Sequence, residues 1–187
     1  MKRILPIISA IICLITAVYT IWYMHFGNPV KNSGALSKIG LEHHSLFVVW
    51  GILTYLSLSF ALIIAYRRFT KTSAYIPLLC VSGIGMIMTL CFDFVYDDKF
   101  SSFMHCVGSL TFSSVSGITV FLLFLINYKK SLMFKSFTYI TGLILAIDLI
   151  CLLIFKETGL IEALPIIAGY IMLTIVNFRR EKIEITK

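Results

Sequence analysis

Six apolar stretches, each about as long as a bilayer is thick, constrain the fold of this chain more than any other feature. They occupy residues 4–24, 46–66, 75–94, 106–127, 136–155 and 160–178. Roughly 20 apolar residues suffice for a helix to cross the hydrocarbon core. Hydrophobic residues make up 59% of the chain and charged residues only 13%, which a soluble domain of this size cannot accommodate. The sequence therefore predicts an all-α polytopic membrane protein, a bundle of six transmembrane helices forming one integral membrane domain over residues 1–187.

The basic residues predict the orientation of this bundle. Twelve of the sixteen lysines and arginines fall on one side of the predicted spans: Lys2, Arg3, Arg67, Arg68, Lys71, Lys129, Lys130, Lys135, Arg179, Arg180, Lys182 and Lys187. Loops rich in lysine and arginine stay in the cytoplasm. We therefore expect a multi-pass protein of the cell membrane with both termini cytoplasmic. The net charge of +7 is explained by these clusters and does not indicate nucleic acid binding.

The acidic residues and histidines are concentrated on the opposite, extracytoplasmic side. All four histidines lie there (His25, His43, His44, His105), with seven of the nine acids (Glu42, Asp93, Asp97, Asp98, Asp148, Glu157, Glu162). Acidic residues contribute little to topology, so their distribution is a separate observation. Any chemistry that this protein performs is therefore predicted at its extracytoplasmic face.

Asp148 is the most informative of these residues, because it lies inside the fifth predicted span. A carboxylate at membrane depth is costly and normally faces a cavity or a partner. Glu162, near the start of the sixth span, is predicted to point toward the same region. His105 is predicted to begin the fourth helix, and Ser109, Ser113 and Ser116 follow on the same face of that helix. A hydrogen bond between helices, or close packing of the serines, explains the same residues without a ligand. The predicted pocket residues are Ser37, His44, Asp93, His105, Ser109, Asp148 and Glu162.

A divalent metal ion, such as zinc, is a possible cofactor of this region. Carboxylates and imidazoles are suitable ligands, and the candidates are His44, Asp93, Asp97 and His105. Their spacing matches no fixed motif, and hydrated surface residues give the same pattern. Cys91 and Cys106 both lie near the outer ends of spans, so a disulfide between them stays open beside the alternative of free, buried thiols. Trp22 and Trp50 are interpreted as anchors at the membrane interface.

Three short motifs resemble a six-span bacterial membrane-protein family of unknown function, distantly akin to the lipid-associated DRAM/Sfk-like proteins. They are Leu-Ser-Lys-Ile-Gly at 36–40, Asp97 followed by His105, and Gly-Leu-Ile-Glu at 159–162. Lys38 and Ala163 stand where that family has aspartate and arginine, and no proline precedes Asp97. The resemblance implies a six-helix bundle with a lipid-related role.

Several functions fit these observations. The first is a non-catalytic protein, a sensor or accessory subunit, whose outward-facing polar pocket binds a membrane lipid or a small molecule. The second is a metal-dependent hydrolase or transferase acting on lipid head groups, with Asp148 or Glu162 as general base. The third is a small transporter, against which no internal repeat or pair of broken helices is found. A haem or quinone protein is the fourth, although all four histidines lie on one side.

Overall fold

The computed structural model describes residues 4–94 and 98–179, and every regular element in these ranges is helical. In chain order the α-helices are α1 (Ile4–Met24), α2 (Leu36–Glu42), α3 (His44–Phe69), α4 (Tyr75–Cys91), α5 (Lys99–Ile126), α6 (Leu132–Phe155) and α7 (Gly159–Phe178). Single turns of 3-10 helix precede α2 (Asn32–Gly34) and α6 (Tyr128–Lys130). Helices α1, α3, α5, α6 and α7 are long and apolar enough to cross a membrane, whereas α4 has 17 residues and is shorter.

The helices coincide with the six predicted spans, with one correction. The bounds of α1, α3, α4, α6 and α7 agree with the predictions to within four residues at either end. Helix α5 begins at Lys99, so the prediction that His105 begins this helix is wrong. Its first turn is capped by Asp98, whose carboxylate accepts hydrogen bonds from the backbone N–H groups of Phe100 and Ser101 at 3.0 Å. A hydropathy scan detects the apolar part of a helix and misses such a polar, capped beginning.

Helices α4 and α5 make the closest contact in the bundle. Gly85 and Gly108 face each other, and a Cβ atom built on either glycine would lie within 3.0 Å of the opposite backbone. Small residues allow membrane helices to approach in this way. Ser82 and Ser116 then share a hydrogen bond of 2.6 Å across the same interface. Of the predicted serine face, Ser116 therefore serves packing.

Helix α6 lies at the periphery, where it packs against α5 and α7. Most of its apolar side chains are exposed on the outer surface of the bundle, Leu153 to 77%. The connection to α7 is short because Lys156 ends α6 with a left-handed backbone (φ 61°) and Thr158 already caps α7. Few side chains of α6 are buried against its neighbours, and the space between α5, α6 and α7 is only partly filled.

Charge divides the two ends of the bundle. One end, here called the basic end, carries Arg67, Arg68, Lys129 and Lys130 around the ends of α3 and α5. The Arg68 guanidinium donates to the carbonyl of Asn177 at 2.5 Å and thus binds the C-terminal end of α7. The other end, here called the acidic end, carries Glu42, Asp93, Asp98 and Glu157 together with α2, and the lysines at this end are Lys31, Lys38, Lys99 and Lys156.

Candidate functional site

The segment between α1 and α3 folds back onto the acidic end of the bundle and builds one wall of the candidate site. The amide of Leu160 donates to the carbonyl of Pro29 at 3.0 Å, and the side chain of Asn32 donates to the carbonyl of Glu157 at 2.7 Å. Gly34 is essential to this fold, because a Cβ atom there would lie 2.0 Å from the carbonyl oxygen of Asn28. Within this segment, Leu36 at the start of α2 is fully buried while Leu41 near its end is exposed, so α2 packs one side against the bundle.

Glu162 joins α2 to α7. Its carboxylate accepts a hydrogen bond from the backbone N–H of Leu36 at 2.5 Å and lies 3.4 Å from the hydroxyl of Ser37. The first amides of a helix have no partner within the helix, and Ala35, the residue before α2, has no side chain that can cap them. Glu162 therefore supplies from α7 the hydrogen-bond acceptor that the start of α2 lacks.

A cavity of about 330 Å³ extends from the acidic end into the bundle between α3, α5, α6 and α7. Its apolar walls include Phe47, Trp50 and Met172. Its polar lining combines three carboxylates with a group of hydroxyls: Asp148, Glu157, Glu162, Ser37, Ser109, Ser113, Ser114, Ser116, Thr89 and Thr141. No lysine, arginine or histidine of the described ranges lines it. The cavity is therefore a mainly apolar space with a negative and hydroxyl-rich inner surface.

Asp148 lies on α6 where the cavity meets the outside of the bundle. It lies seven residues before the end of α6 at Phe155, which places it about 10 Å along the helix axis from that end. Across residues 4–94 and 98–179, its carboxylate has no hydrogen bond or ion pair. A structural hydrogen bond to a neighbouring helix, the alternative explanation of this residue, is therefore not formed with these residues.

A second, apolar groove of about 500 Å³ runs between α6 and α7 on the outside of the bundle. Four residues line both the groove and the cavity: Ile144, Asp148, Ile161 and Pro165. The boundary between groove and cavity is therefore apolar except for the side chain of Asp148.

His105 is not among the residues that line the cavity. Its ring nitrogen Nδ1 lies 2.7 Å from the carbonyl oxygen of Phe92, and the ring stacks on Phe47 with centroids 6.2 Å apart. Only 2% of its surface is exposed. His105 thus lies behind Phe47, whose side chain lines the cavity. His105 contributes to the pocket only by positioning the Phe47 ring.

The four predicted metal ligands are only partly brought together. Nδ1 of His44 lies 3.3 Å from a carboxylate oxygen of Asp93, and both side chains are about half exposed. Asp97 lies outside the described residues. Among the residues that the structure describes, no three His, Cys, Asp or Glu side chains are close enough to hold a metal ion, so the four-ligand site stays a prediction. All five cysteines, Cys91 and Cys106 included, are free thiols.

Trp50 and Glu157 are among the cavity residues that the sequence analysis does not predict. Trp50 was interpreted as an interfacial anchor, yet it is 5% exposed, donates through its indole N–H to the hydroxyl of Thr20 at 3.1 Å and lines the cavity. Glu157 was noted only as an outer acid, and it lies close enough to Glu162 and Cys106 for its charge to act on both. The position of Trp50, more than a turn inside its span, was the available signal.

No protein-family model, curated protein or solved structure matches this chain. What the fold and the site define is therefore a class, a helical protein with several helices able to cross a membrane and a carboxylate-lined cavity among them. Its activity has to be inferred from its own residues.

Proposed function

We propose that this protein is a six-span protein of the cell membrane that binds a lipid or another small amphiphilic molecule in the cavity, as a sensor or accessory subunit. The observation that carries the proposal is the cavity itself, because it combines apolar walls with a few carboxylates and hydroxyls in a bundle otherwise surrounded by apolar surface. Ligand sites are concave, mainly apolar and equipped with a small number of polar groups that fix orientation.

The proposed orientation places the acidic end outside the cell and both termini in the cytoplasm. It is supported by the basic clusters, since cytoplasmic loops are enriched in lysine and arginine. It requires α4 to cross the membrane in addition to the five longer helices. With 17 residues, α4 is at the short end of the range for helices that span a bilayer. The cavity then opens to the outer leaflet, from which the ligand enters.

The proposed kinship with the six-span family akin to the DRAM/Sfk-like proteins has one structural support. Ser37 of the Leu-Ser-Lys-Ile-Gly motif and Glu162 of the Gly-Leu-Ile-Glu motif are 125 residues apart in the sequence, yet they meet at the N-terminus of α2. Two of the three motifs that carry the resemblance therefore form one structural unit. A lipid-related role, which the resemblance implies, agrees with the proposed ligand class.

Quenching of Trp50 fluorescence tests the proposed binding. The protein carries two tryptophans, and exposed Trp22 is first replaced by phenylalanine so that Trp50 alone reports from the cavity. In bilayer discs, a brominated alkyl glycoside is expected to quench Trp50 saturably at low mole fraction, because bromine quenches only at short range. In a Ser109→Leu variant the saturable component is expected to fall about tenfold or more in affinity, because Ser109 is half-buried in the cavity wall and leucine takes up space there.

The matched control is Ser73→Leu, an exposed serine outside the cavity, which is expected to leave the titration unchanged. If the probe only collides with Trp50 from the bilayer, quenching in the parent protein will rise linearly with probe concentration and never saturate. That result would contradict the proposed function.

A further inference from the structure

We infer that the preferred ligand of the cavity is a cationic amphiphile, a hydrocarbon chain carrying a primary ammonium group, and that it binds with the ammonium at Asp148 and the chain in the groove between α6 and α7. This inference rests on the proposed function, because it names the class of molecule that the cavity takes. It is carried by the position of Asp148, the charge of the lining and the shape of the space around α6.

The charge of the lining favours a cation. Asp148, Glu157 and Glu162 line the cavity, and none of the lysine, arginine and histidine side chains in the described ranges does. Glu162 is already engaged at α2, whereas Asp148 has no partner among the described residues. A carboxylate at membrane depth needs a compensating group, and a bound ammonium would be that group.

The chemistry of the boundary favours an ammonium with N–H donors. The Asp148 carboxylate lies on the strip that lines both cavity and groove and has no partner among the described residues. A primary ammonium has three N–H donors and can form charge-assisted hydrogen bonds with this carboxylate, whereas a quaternary ammonium has no such donor. The carboxylate of Glu157, which lines the cavity nearer the acidic end, also favours a cation over an anion at the entrance.

The groove provides for the hydrocarbon chain. Its walls are Ile147, Cys151, Leu160 and Leu164 with their neighbours, and it is open along its length toward the surroundings of the bundle. Leu164 and Ile147 are each exposed by half or more, so the groove is continuous with the surface that faces lipid. An amphiphile can therefore enter sideways from the bilayer between α6 and α7, and its chain need not leave the apolar phase.

The test compares three brominated twelve-carbon probes that differ only in head group, a primary ammonium, a neutral glycoside and a sulfate. Each is titrated, in phosphatidylcholine discs, into the Trp22→Phe protein, whose Trp50 reports on the cavity, and into a Trp22→Phe, Trp50→Phe, Leu164→Trp protein, whose single tryptophan reports on the groove. The probe content of the discs is measured directly so that different partitioning is removed. We expect saturable quenching of the tryptophan in the groove, with an affinity for the ammonium at least about tenfold above that for the glycoside and weaker binding still for the sulfate.

Two isosteric variants locate the charge. Asp148→Asn is expected to reduce the ammonium affinity to that of the glycoside and to leave the glycoside affinity unchanged. Asp93→Asn removes the same charge at the same end of the bundle but away from the cavity, and it is expected to change neither. Competition with unlabelled amphiphiles then distinguishes two sources of the ammonium group. If phosphatidylethanolamine displaces the probe, the ligand is an aminolipid; if only an unlabelled single-chain amine displaces it, the ligand is a single-chain amine.

The outcomes separate this inference from the proposed function. Equal affinities for ammonium and glycoside, both saturable, would overturn the inference and leave the binding cavity standing. Loss of glycoside binding together with ammonium binding in Asp148→Asn would also overturn it, because the residue would then act on the shape of the cavity. Absence of saturable quenching by every probe would remove the proposed function as well.

Discussion

Replacing Glu162 with leucine is expected to lower the free energy of unfolding by about 2 to 4 kcal/mol and to release α2 from the bundle. The carboxylate is the acceptor for the backbone N–H of Leu36 and lies within reach of the Ser37 hydroxyl, and leucine leaves both donors buried without an acceptor. A buried donor that loses its charged acceptor costs about 1 to 3 kcal/mol. Hydrogen exchange over residues 36–42 should rise strongly, while exchange in α7 itself should change little.

Glu162→Gln and Glu157→Gln are the matched variants for this experiment. Glutamine at 162 keeps one acceptor oxygen where the carboxyl group has two, so an intermediate effect is expected. Glu157 is held through its backbone carbonyl, which Glu157→Gln retains, so this variant should leave exchange in α2 unchanged. Unaltered exchange over residues 36–42 in Glu162→Leu would show that the carboxylate does not hold α2 in place.

Gly108→Ala is expected to destabilise the protein by about 2 kcal/mol or more, although alanine is the better helix former. The new Cβ atom would lie 2.7 Å from the backbone nitrogen of Thr89 and 2.8 Å from the carbonyl oxygen of Gly85. Both contacts are with backbone atoms, so they are relieved only if α4 and α5 move apart. Overpacking of this kind costs typically 1 to 3 kcal/mol. Reversible unfolding in mixed micelles measures the change.

Gly142→Ala is the control for this prediction. A Cβ atom on Gly142, in the middle of α6, meets only a carbon of the Phe121 ring at 3.4 Å, an ordinary contact. The same substitution there should therefore raise stability by up to about 1 kcal/mol, because alanine replaces glycine inside a helix. If Gly108→Ala and Gly142→Ala shift stability in the same direction and by the same amount, α4 and α5 do not touch at these glycines.

The helices could be predicted because their lengths are written directly in the sequence as apolar runs. The prediction missed features that depend on a few polar residues or on short segments, which a hydropathy profile does not register. Helix α5 begins seven residues before the predicted span because Asp98 caps a turn that hydropathy does not detect. Helix α2 has only seven residues, so it leaves no apolar run of the length that the prediction uses. Spacing along one helix also shows only which residues share a face. It does not show that the face bearing His105 meets Phe47.

One residue of the site could be predicted from the energetic cost of burying a carboxylate, but the sequence pattern did not show which residues meet there. Asp148 was identified because a carboxylate inside a span requires a reason, and it does line the cavity. The partner of Glu162, by contrast, lies 126 residues away on α2, and no local rule connects the two. The lining by Trp50 and Glu157 depends on how α3 and the α6–α7 turn are placed, which only the packed bundle determines.

Thiol labelling of Cys106 tests most directly that the cavity opens to the outside through a negatively charged entrance. Cys106 lines the cavity near Glu157, and the other four cysteines can be replaced to make it the single thiol. In intact cells, a membrane-impermeant cationic thiosulfonate added outside should label Cys106, and faster than its anionic counterpart of similar size. Labelling only after the cytoplasmic side is exposed, or faster labelling by the anion, would contradict the outward-facing carboxylate-lined cavity.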